Sequence, residues 1–357
     1  MAKKTVKARP KPPPAVRSDK AAILRQTFRR FTEEEVIPRA RQIDEDQALP
    51  ADLWLELGRM GAFGIRYPKE KGGAGGNTTL YCIICEELAR GLVSLAAVYA
   101  MQALMGTNFI FRYGTEAQQE RYFAPVMAGE IFSAFCLTEP DHSSDLTGCQ
   151  TTARRDGESF VINGMKTWIT NAPKAEVFTV LVQTEPGSGA KGLNFALVDR
   201  RTPGLSTSKR FDILGTRSSD LGEVAFSDVV IPAENMLVPA GGGMRALLAI
   251  LAEIRTMTAA LGLGLAKAAY QASARYAAER SQFGRLIKNY QMIQAHVANM
   301  GTNIYASELM LADCCARIDR GERALAESSM CKYFVCETAC DAADRATRVL
   351  GGYAYSM

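Results

Sequence analysis

The sequence predicts an α+β chain in three parts: an N-terminal helical domain, a small antiparallel β-domain and a C-terminal antiparallel helix bundle. Three observations carry that expectation. Apolar residues recur at helical spacing from residue 21 to about residue 130, then give way after Ile131 to short β-rich runs broken by Gly, Pro and Asp. From Met244 helical spacing returns and persists. The expected limits are a tail at 1–18, a helical domain at 19–130, a β-domain at 131–240 and an incomplete helical bundle at 241–357.

Each element has a local reason. Prolines 10, 12, 13 and 14 among basic residues forbid a packed helix, so residues 1–18 read as a disordered tail or a targeting remnant. Helical spacing over 21–44 is interrupted at Pro38, and a further helix starts near Pro50. Residues 68–77 hold four glycines without the Lys-Ser/Thr ending of a phosphate loop, which makes them a surface connection. Residues 78–113 predict two almost wholly apolar helices, and Thr115-Glu116-Ala117-Gln118 is a capping box that opens another. Strands are expected at 151–153, 160–163, 177–183, 193–199 and 223–230. Three long helices follow at about 244–281, 290–320 and 325–350, joined by short loops as in an antiparallel bundle.

Composition excludes several classes. The 357 residues are 47% hydrophobic and 22% charged, an ordinary globular balance. Net charge is +4, but Lys3, Lys4, Lys7, Arg9, Lys11, Arg17 and Lys20 supply the excess, leaving a near-balanced body that argues against nucleic acid. No unbroken apolar run reaches about 18 residues, so no membrane span is expected. Nine cysteines and no secretory apolar region point to a reducing compartment. Cys82 and Cys85 form a CxxC inside a helical pattern and read as packing; with two histidines in the chain, no metal site is expected.

Two stretches carry chemistry. In Phe135-Cys136-Leu137-Thr138-Glu139-Pro140-Asp141-His142-Ser143-Ser144-Asp145 an apolar strand ends at Thr-Glu-Pro and opens into short polar side chains. In Asn163-Gly164-Met165-Lys166-Thr167-Trp168-Ile169-Thr170 an aromatic ring sits between hydroxyls, suited to a planar heterocycle with a polar edge. Taken singly, either stretch is equally a piece of β-sandwich. Gly215-Thr216-Arg217-Ser218-Ser219-Asp220, Glu279-Arg280-Ser281-Gln282-Phe283-Gly284 and Leu350-Gly351-Gly352 follow in order on the expected elements.

With these five motifs, from about residue 20 onward, the chain resembles the acyl-CoA dehydrogenase family of FAD-dependent oxidoreductases. The resemblance implies that Phe135, Leu137, Thr138, Trp168 and Thr170 surround the flavin ring and that Ser144 sits where flavin and CoA meet. It implies that Arg280, Gln282, Phe283, Gln291, Arg348, Gly351 and Gly352 bind the adenine and diphosphate half of FAD, Arg280, Gln282, Phe283 and Gln291 reaching an FAD held by a partner subunit. Arginine donors suit a diphosphate. It further implies α,β-dehydrogenation of an acyl-CoA in fatty or branched-chain acyl metabolism: a carboxylate takes the α proton and the β hydrogen leaves as hydride to flavin N5. A homodimer or homotetramer, electron-transferring flavoprotein as acceptor, and a bacterial cytoplasm or a mitochondrial matrix complete the implied setting.

The pattern also departs from the family. The usual glutamate base follows Gly351-Gly352, in a segment that would lie past Met357, so a truncated or non-catalytic FAD-binding homologue is the alternative reading, beside an oxidase or an enoyl-CoA reductase on the same fold. Some relatives place the base one residue before the position of Arg255, where this chain has Ile254; Glu253 is the candidate base at hand, turned by about 100 degrees from that position. Arg255 is expected to support the acyl pocket, and Met101, Leu104, Met105 and Met257 either line that pocket or are core. Asp141-His142-Ser143 replaces the glycines usual in the family, and Arg348 replaces a glutamine.

Overall fold

A computed structural model describes residues 19–355; the expected tail at 1–18 lies outside the described residues. Helix α1 (Asp19–Phe31) runs through a π-turn at Thr32–Val36 and a 3-10 turn at Ile37–Arg39 into α2 (Ala40–Asp46). The change falls at Pro38, which lacks the N–H that a continuous helix would use. Helix α3 (Ala51–Arg59) starts directly after Pro50. Helix α4 (Thr78–Gly91) is capped by Asn77, whose side chain accepts from the Leu80 N–H at 3.0 Å.

The two apolar helices expected at 78–113 are three: α4, α5 (Val93–Ala103) and α6 (Met105–Tyr113). The second break falls at Leu104, with φ −121° and ψ −68°, and no glycine or proline marks it. It lets α6 touch the sheet at Gly106, where a Cβ would sit 3.0 Å from Thr179 Oγ1 and 3.2 Å from the Ala134 carbonyl oxygen. The predicted capping box forms at α7 (Glu116–Gln118), with Thr115 and Gln118 bonded reciprocally at 3.2 and 2.9 Å. A π-turn leads into α8 (Ala124–Ala128).

The sheet contains β1 (Phe132–Cys136), β2 (Thr152–Asp156), β3 (Ser159–Thr170), β4 (Ala175–Gln183), β5 (Leu193–Asp199), β6 (Leu205–Thr207) and β7 (Leu221–Pro232). Its order is β1-β4-β2-β3-β7-β6, with β5 on the other edge contact of β4. The expectation of an antiparallel domain is corrected here: β1 and β2 both pair β4 in parallel, so the sheet is mixed. Both faces of β4 and β5 are covered. On β4 and β5, Val177, Leu181, Leu193, Phe195 and Leu197 face the helices, while Phe178, Val180, Val182, Ala196 and Val198 fill the interior of the sheet domain. That is the two-residue alternation of a strand buried on both sides.

Helix α9 (Gly243–Glu279) is followed by a small hairpin, β8 (Ser281–Gln282) and β9 (Arg285–Leu286), then α10 (Gln291–Asp319) and α11 (Leu325–Leu350). The first third of α9 closes over the sheet through Ala246, Leu247 and Ile250, and the rest packs into the helical core through Met257, Ala260 and Leu263. By length and composition alone, Val93–Tyr113 and Gly243–Glu279 reach what a membrane span needs, although neither is an unbroken apolar run; 78% and 61% of their apolar windows are buried inside this fold. Their apolarity is that of core helices.

Candidate functional site

The site starts where β1 ends. Phe135 points into the core between Phe109 and Phe195, with ring centroids 5.4 and 5.7 Å away. Residues 137–139 then leave the sheet and are held by β3: the Thr167 N–H donates to the Thr138 carbonyl at 2.9 Å and Lys166 Nζ donates to the Leu137 carbonyl at 3.1 Å. Phe135, Leu137 and Ser144 line a cavity of about 330 Å³, with Met105, Leu247, Leu251 and Ile254 opposite. Of the four candidate pocket residues, Met105 lines this cavity, Leu104 and Met257 are buried in the helical core and Met101 packs on the core between helices and sheet.

Beside it, β3 bulges between Lys166 and Ile169. Trp168 sits in the bulge with φ +57° and is 58% exposed, touching Phe211 edge-on at 4.9 Å. A left-handed Trp is strained and an open indole is unfavourable in water, so the bulge presents the ring to something. Thr170, half-buried, pairs Leu221 at the end of the same strand.

A second group gathers at the far end of α9. Arg280, Gln282, Phe283, Gly351 and Gly352 line a cavity of about 600 Å³ with Tyr276, Tyr290 and Tyr353. Phe283 is 94% exposed at φ +51°, and among the described residues the Arg280 guanidinium has no hydrogen bond or ion pair. Gln291 opens α10 and is exposed; Arg348 is exposed and paired with Asp344 at 2.9 Å, outside the cavity lining. Phe135, Leu137 and Ser144 line one cavity and the Arg280 group another, while Thr138, Trp168 and Thr170 belong to neither lining.

The carboxylates divide differently from expectation. Glu253 is buried, pairs with Arg66 and lies 3.6 Å from Arg112, and it lines a third cavity of about 820 Å³ with Arg112, Lys191, Arg245 and Arg323. Ile254, one residue on, faces the flavin-side cavity. The helical turn between adjacent residues directs the Glu253 carboxylate into an arginine cluster, away from the cavity that Ile254 lines. The Arg255 guanidinium donates to Ser329 Oγ on α11 at 2.9 Å. Asp145 does line the flavin-side cavity, but its carboxylate caps Thr147, accepting from that residue's N–H and hydroxyl at 3.1 and 2.5 Å, and these bonds hold its pKa below the ordinary carboxylate value. His142 folds back onto Gln150, ring nitrogen to amide nitrogen at 3.1 Å.

Sequence reasoning missed one pair. Lys166 and Glu139 meet at 2.7 Å with side chains 0% and 4% exposed. Glu139 also accepts from the N–H groups of Gln150 and Thr151 at 2.7 and 2.8 Å and from Cys149 Sγ at 3.2 Å. Both residues lie inside the quoted motifs, and their charge is what disguised them, since charged side chains are rarely fully buried.

An open indole, an open phenyl ring and an unpaired guanidinium are what a cofactor with a planar ring system and a diphosphate would cover, so the residues present fit FAD. A mixed β-domain between a helical domain and a long bundle, with such a site, defines a flavin-dependent oxidoreductase. The chain matches the acyl-CoA dehydrogenase N-terminal, middle and C-terminal domains over residues 18–130, 134–229 and 241–357, and it belongs to the acyl-CoA dehydrogenase family. It is 39% identical to a benzylmalonyl-CoA dehydrogenase of Aromatoleum aromaticum, covering 95% of this chain and 90% of that one. It is 35% identical to a 3-(aryl)acrylate reductase of Clostridium sporogenes (93% and 88%) and 33% identical to a mitochondrial short-chain specific acyl-CoA dehydrogenase of Bos taurus (93% and 81%). Among solved structures, a glutaryl-CoA dehydrogenase of Mycobacterium smegmatis in complex with FADH2 superposes with TM-score 0.90 at 29% identity (95% and 86%). A chain from a structure of the electron transferring flavoprotein of Acidaminococcus fermentans does so at 0.92 and 29% (95% and 89%). The protein is an FAD-dependent oxidoreductase that dehydrogenates acyl-CoA thioesters.

Proposed function

We propose that the thioester lies along α9 with its acyl end in the flavin-side cavity and its CoA nucleotide in the adjoining cationic one. The observation that carries this is the shared wall: Met244 and Leu248 belong to both linings. One cavity is mainly apolar, with Ser144, Asp145 and Thr147 in its lining; the other gathers Arg112, Lys191, Arg245 and Arg323, which outnumber Glu253 and Glu322. An acyl-CoA has the same split between an apolar chain and phosphates. FAD held there would supply the acceptor for the β hydrogen, which leaves as hydride. This chain's own contribution is to hold the ring against Phe135, Leu137, Thr138, Trp168 and Thr170, to exclude water with the apolar wall of α9, and to anchor the nucleotide through arginine and lysine donors.

Substitution tests the reading directly. Arg245→Ala and Arg323→Ala raise KM for an acyl-CoA by about tenfold each, the size of a lost charge-assisted hydrogen bond, with kcat little changed. The same variants leave the KM of the matching acyl-pantetheine, which lacks the nucleotide, where it was. An equal loss on both substrates would show that the cationic cavity does not hold the nucleotide.

The names of two relatives, benzylmalonyl-CoA dehydrogenase and 3-(aryl)acrylate reductase, support an aryl-bearing acyl group as substrate ahead of a straight chain. Anaerobic bleaching of the flavin by a thioester panel checks this, and straight chains bleaching faster than aryl ones would reject it. Adding electron-transferring flavoprotein, oxygen or an enoyl-CoA to the bleached enzyme identifies the acceptor, which we take to be the flavoprotein. A bacterial cytoplasm or a mitochondrial matrix suits that partner. Homo-oligomerisation is part of the same reading, because Arg280, Gln282 and Phe283 are then positioned for a partner's FAD.

A further inference from the structure

Two segments form the walls assigned to the flavin ring, and one side chain joins them. Residues 137–139 continue β1 without a strand partner of their own, while Trp168 and Thr170 stand on β3. Lys166, on β3, is fully buried, and its ammonium donates to the Leu137 carbonyl at 3.1 Å, to Glu139 Oε1 at 2.7 Å and toward Cys149 Sγ at 3.5 Å. An ammonium has three donors, and all three are used. None is left for substrate, cofactor or water.

Glu139 completes the clamp. Its carboxylate accepts the Gln150 and Thr151 N–H groups as well as Lys166, tying residue 139 to the approach of β2. The Thr167 N–H to Thr138 carbonyl bond, 2.9 Å, is the other link between the two walls. Across to the Trp168 wall, the segment that carries Leu137 and Thr138 is therefore held by the Thr167–Thr138 backbone bond and by Lys166, which reaches both the Leu137 carbonyl and the Glu139 carboxylate.

We propose that Lys166 is a positioning residue for the flavin: through the Leu137 carbonyl and Glu139 it fixes the 137–139 wall against the Trp168 wall and so sets the width of the slot that takes the ring. This rests on the placement of the flavin between those walls. A surface ion pair would contribute little either way, but a buried pair removed on one side leaves an uncompensated charge, which is costly. The pair is also replaceable as a unit, because a neutral pair of similar volume leaves no uncompensated charge.

Lys166→Met and the double variant Glu139→Gln/Lys166→Met test the inference, read by FAD dissociation constant and by the visible flavin band of the folded protein. Both lose the donor to Leu137, and both are expected to weaken FAD binding at least tenfold and to shift the band, whereas Glu139→Gln/Lys166→Gln, which keeps a neutral donor, recovers most of the affinity. Should Lys166→Met not fold, the double variant, which buries no lone charge, carries the comparison. A folded double variant with wild-type FAD affinity and spectrum overturns the proposal and leaves Lys166 a stability residue. Trp168→Ala separates the two ideas: if it too leaves FAD binding unchanged, the flavin is not between these walls at all.

Discussion

At the residue scale, position along a helix decides chemistry more than residue type does. Glu253 has the right identity for a base and the wrong azimuth, and its carboxylate neutralises Arg66 and Arg112 beside the cationic cavity. Glu253→Gln should therefore lower thermal stability, because it leaves two arginines short of a partner, and should leave the rate of flavin reduction at saturating thioester within about threefold of wild type. A loss of several orders of magnitude in a folded variant would return Glu253 to the role of base. Acid sensitivity belongs to Glu139. Burial pushes its pKa up, but the Lys166 charge and the Thr151 and Gln150 donors outweigh burial and bring it down to about 2. A group depressed in the folded state contributes stability above its unfolded pKa and loses it as pH falls toward the folded one. Between about pH 4.5 and 2 the wild type should thus lose stability more steeply than Glu139→Gln, as followed by acid denaturation. The 100-degree offset of Glu253 was legible in the sequence. The Lys166–Glu139 pair was not, because no residue-by-residue rule distinguishes a buried charge from a solvated one until the partner is in view.

At the element scale, what the sequence showed well was periodicity with a punctuating residue: Pro50 before α3, the Thr115 box and the three long helices all fall within a few residues of expectation, whereas β3 runs to Thr170, seven residues past its expected end. It failed where tertiary contact overrides local preference. Leu104 breaks α5 from α6 with no breaker present, and the parallel pairing of β1 with β4 leaves the same two-residue alternation that antiparallel pairing would. Glycine positions carried an unread signal of the same kind. Gly264 brings α9 against α4 so closely that a Cβ would stand 2.4 Å from the Glu86 carbonyl oxygen and 2.7 Å from Ala89 Cβ. Backbone cannot yield as a side-chain tip can. Gly264→Val should cost about 3 kcal/mol or more by forcing α9 off α4, seen as a lower Tm, while Gly284→Ala, in open space on the hairpin, tests only left-handed strain and should cost about 1 kcal/mol.

At the scale of the whole molecule, the outer faces of α10 and α11 remain to be accounted for. Tyr305 and Leu309 stand one turn apart on α10, and Met330 and Tyr333 on α11, all of them exposed, with Phe283 standing open on the hairpin that precedes α10. Exposed apolar side chains scattered singly need no explanation, but pairs at helical spacing on two successive helices offer another chain an apolar surface. If a second copy covers it, cofactor binding and association are linked: each copy completes the other's FAD site, so FAD stabilises the assembly and dissociation weakens FAD. Sedimentation of the FAD-loaded protein should then give a dimer or a multiple of one. Tyr333→Glu with Leu309→Glu, which places like charges on that surface without touching either cavity, should shift the protein toward single chains and raise the FAD dissociation constant in step. Single chains that hold FAD as tightly as the assembly would separate the two properties and confine the cofactor site to one copy.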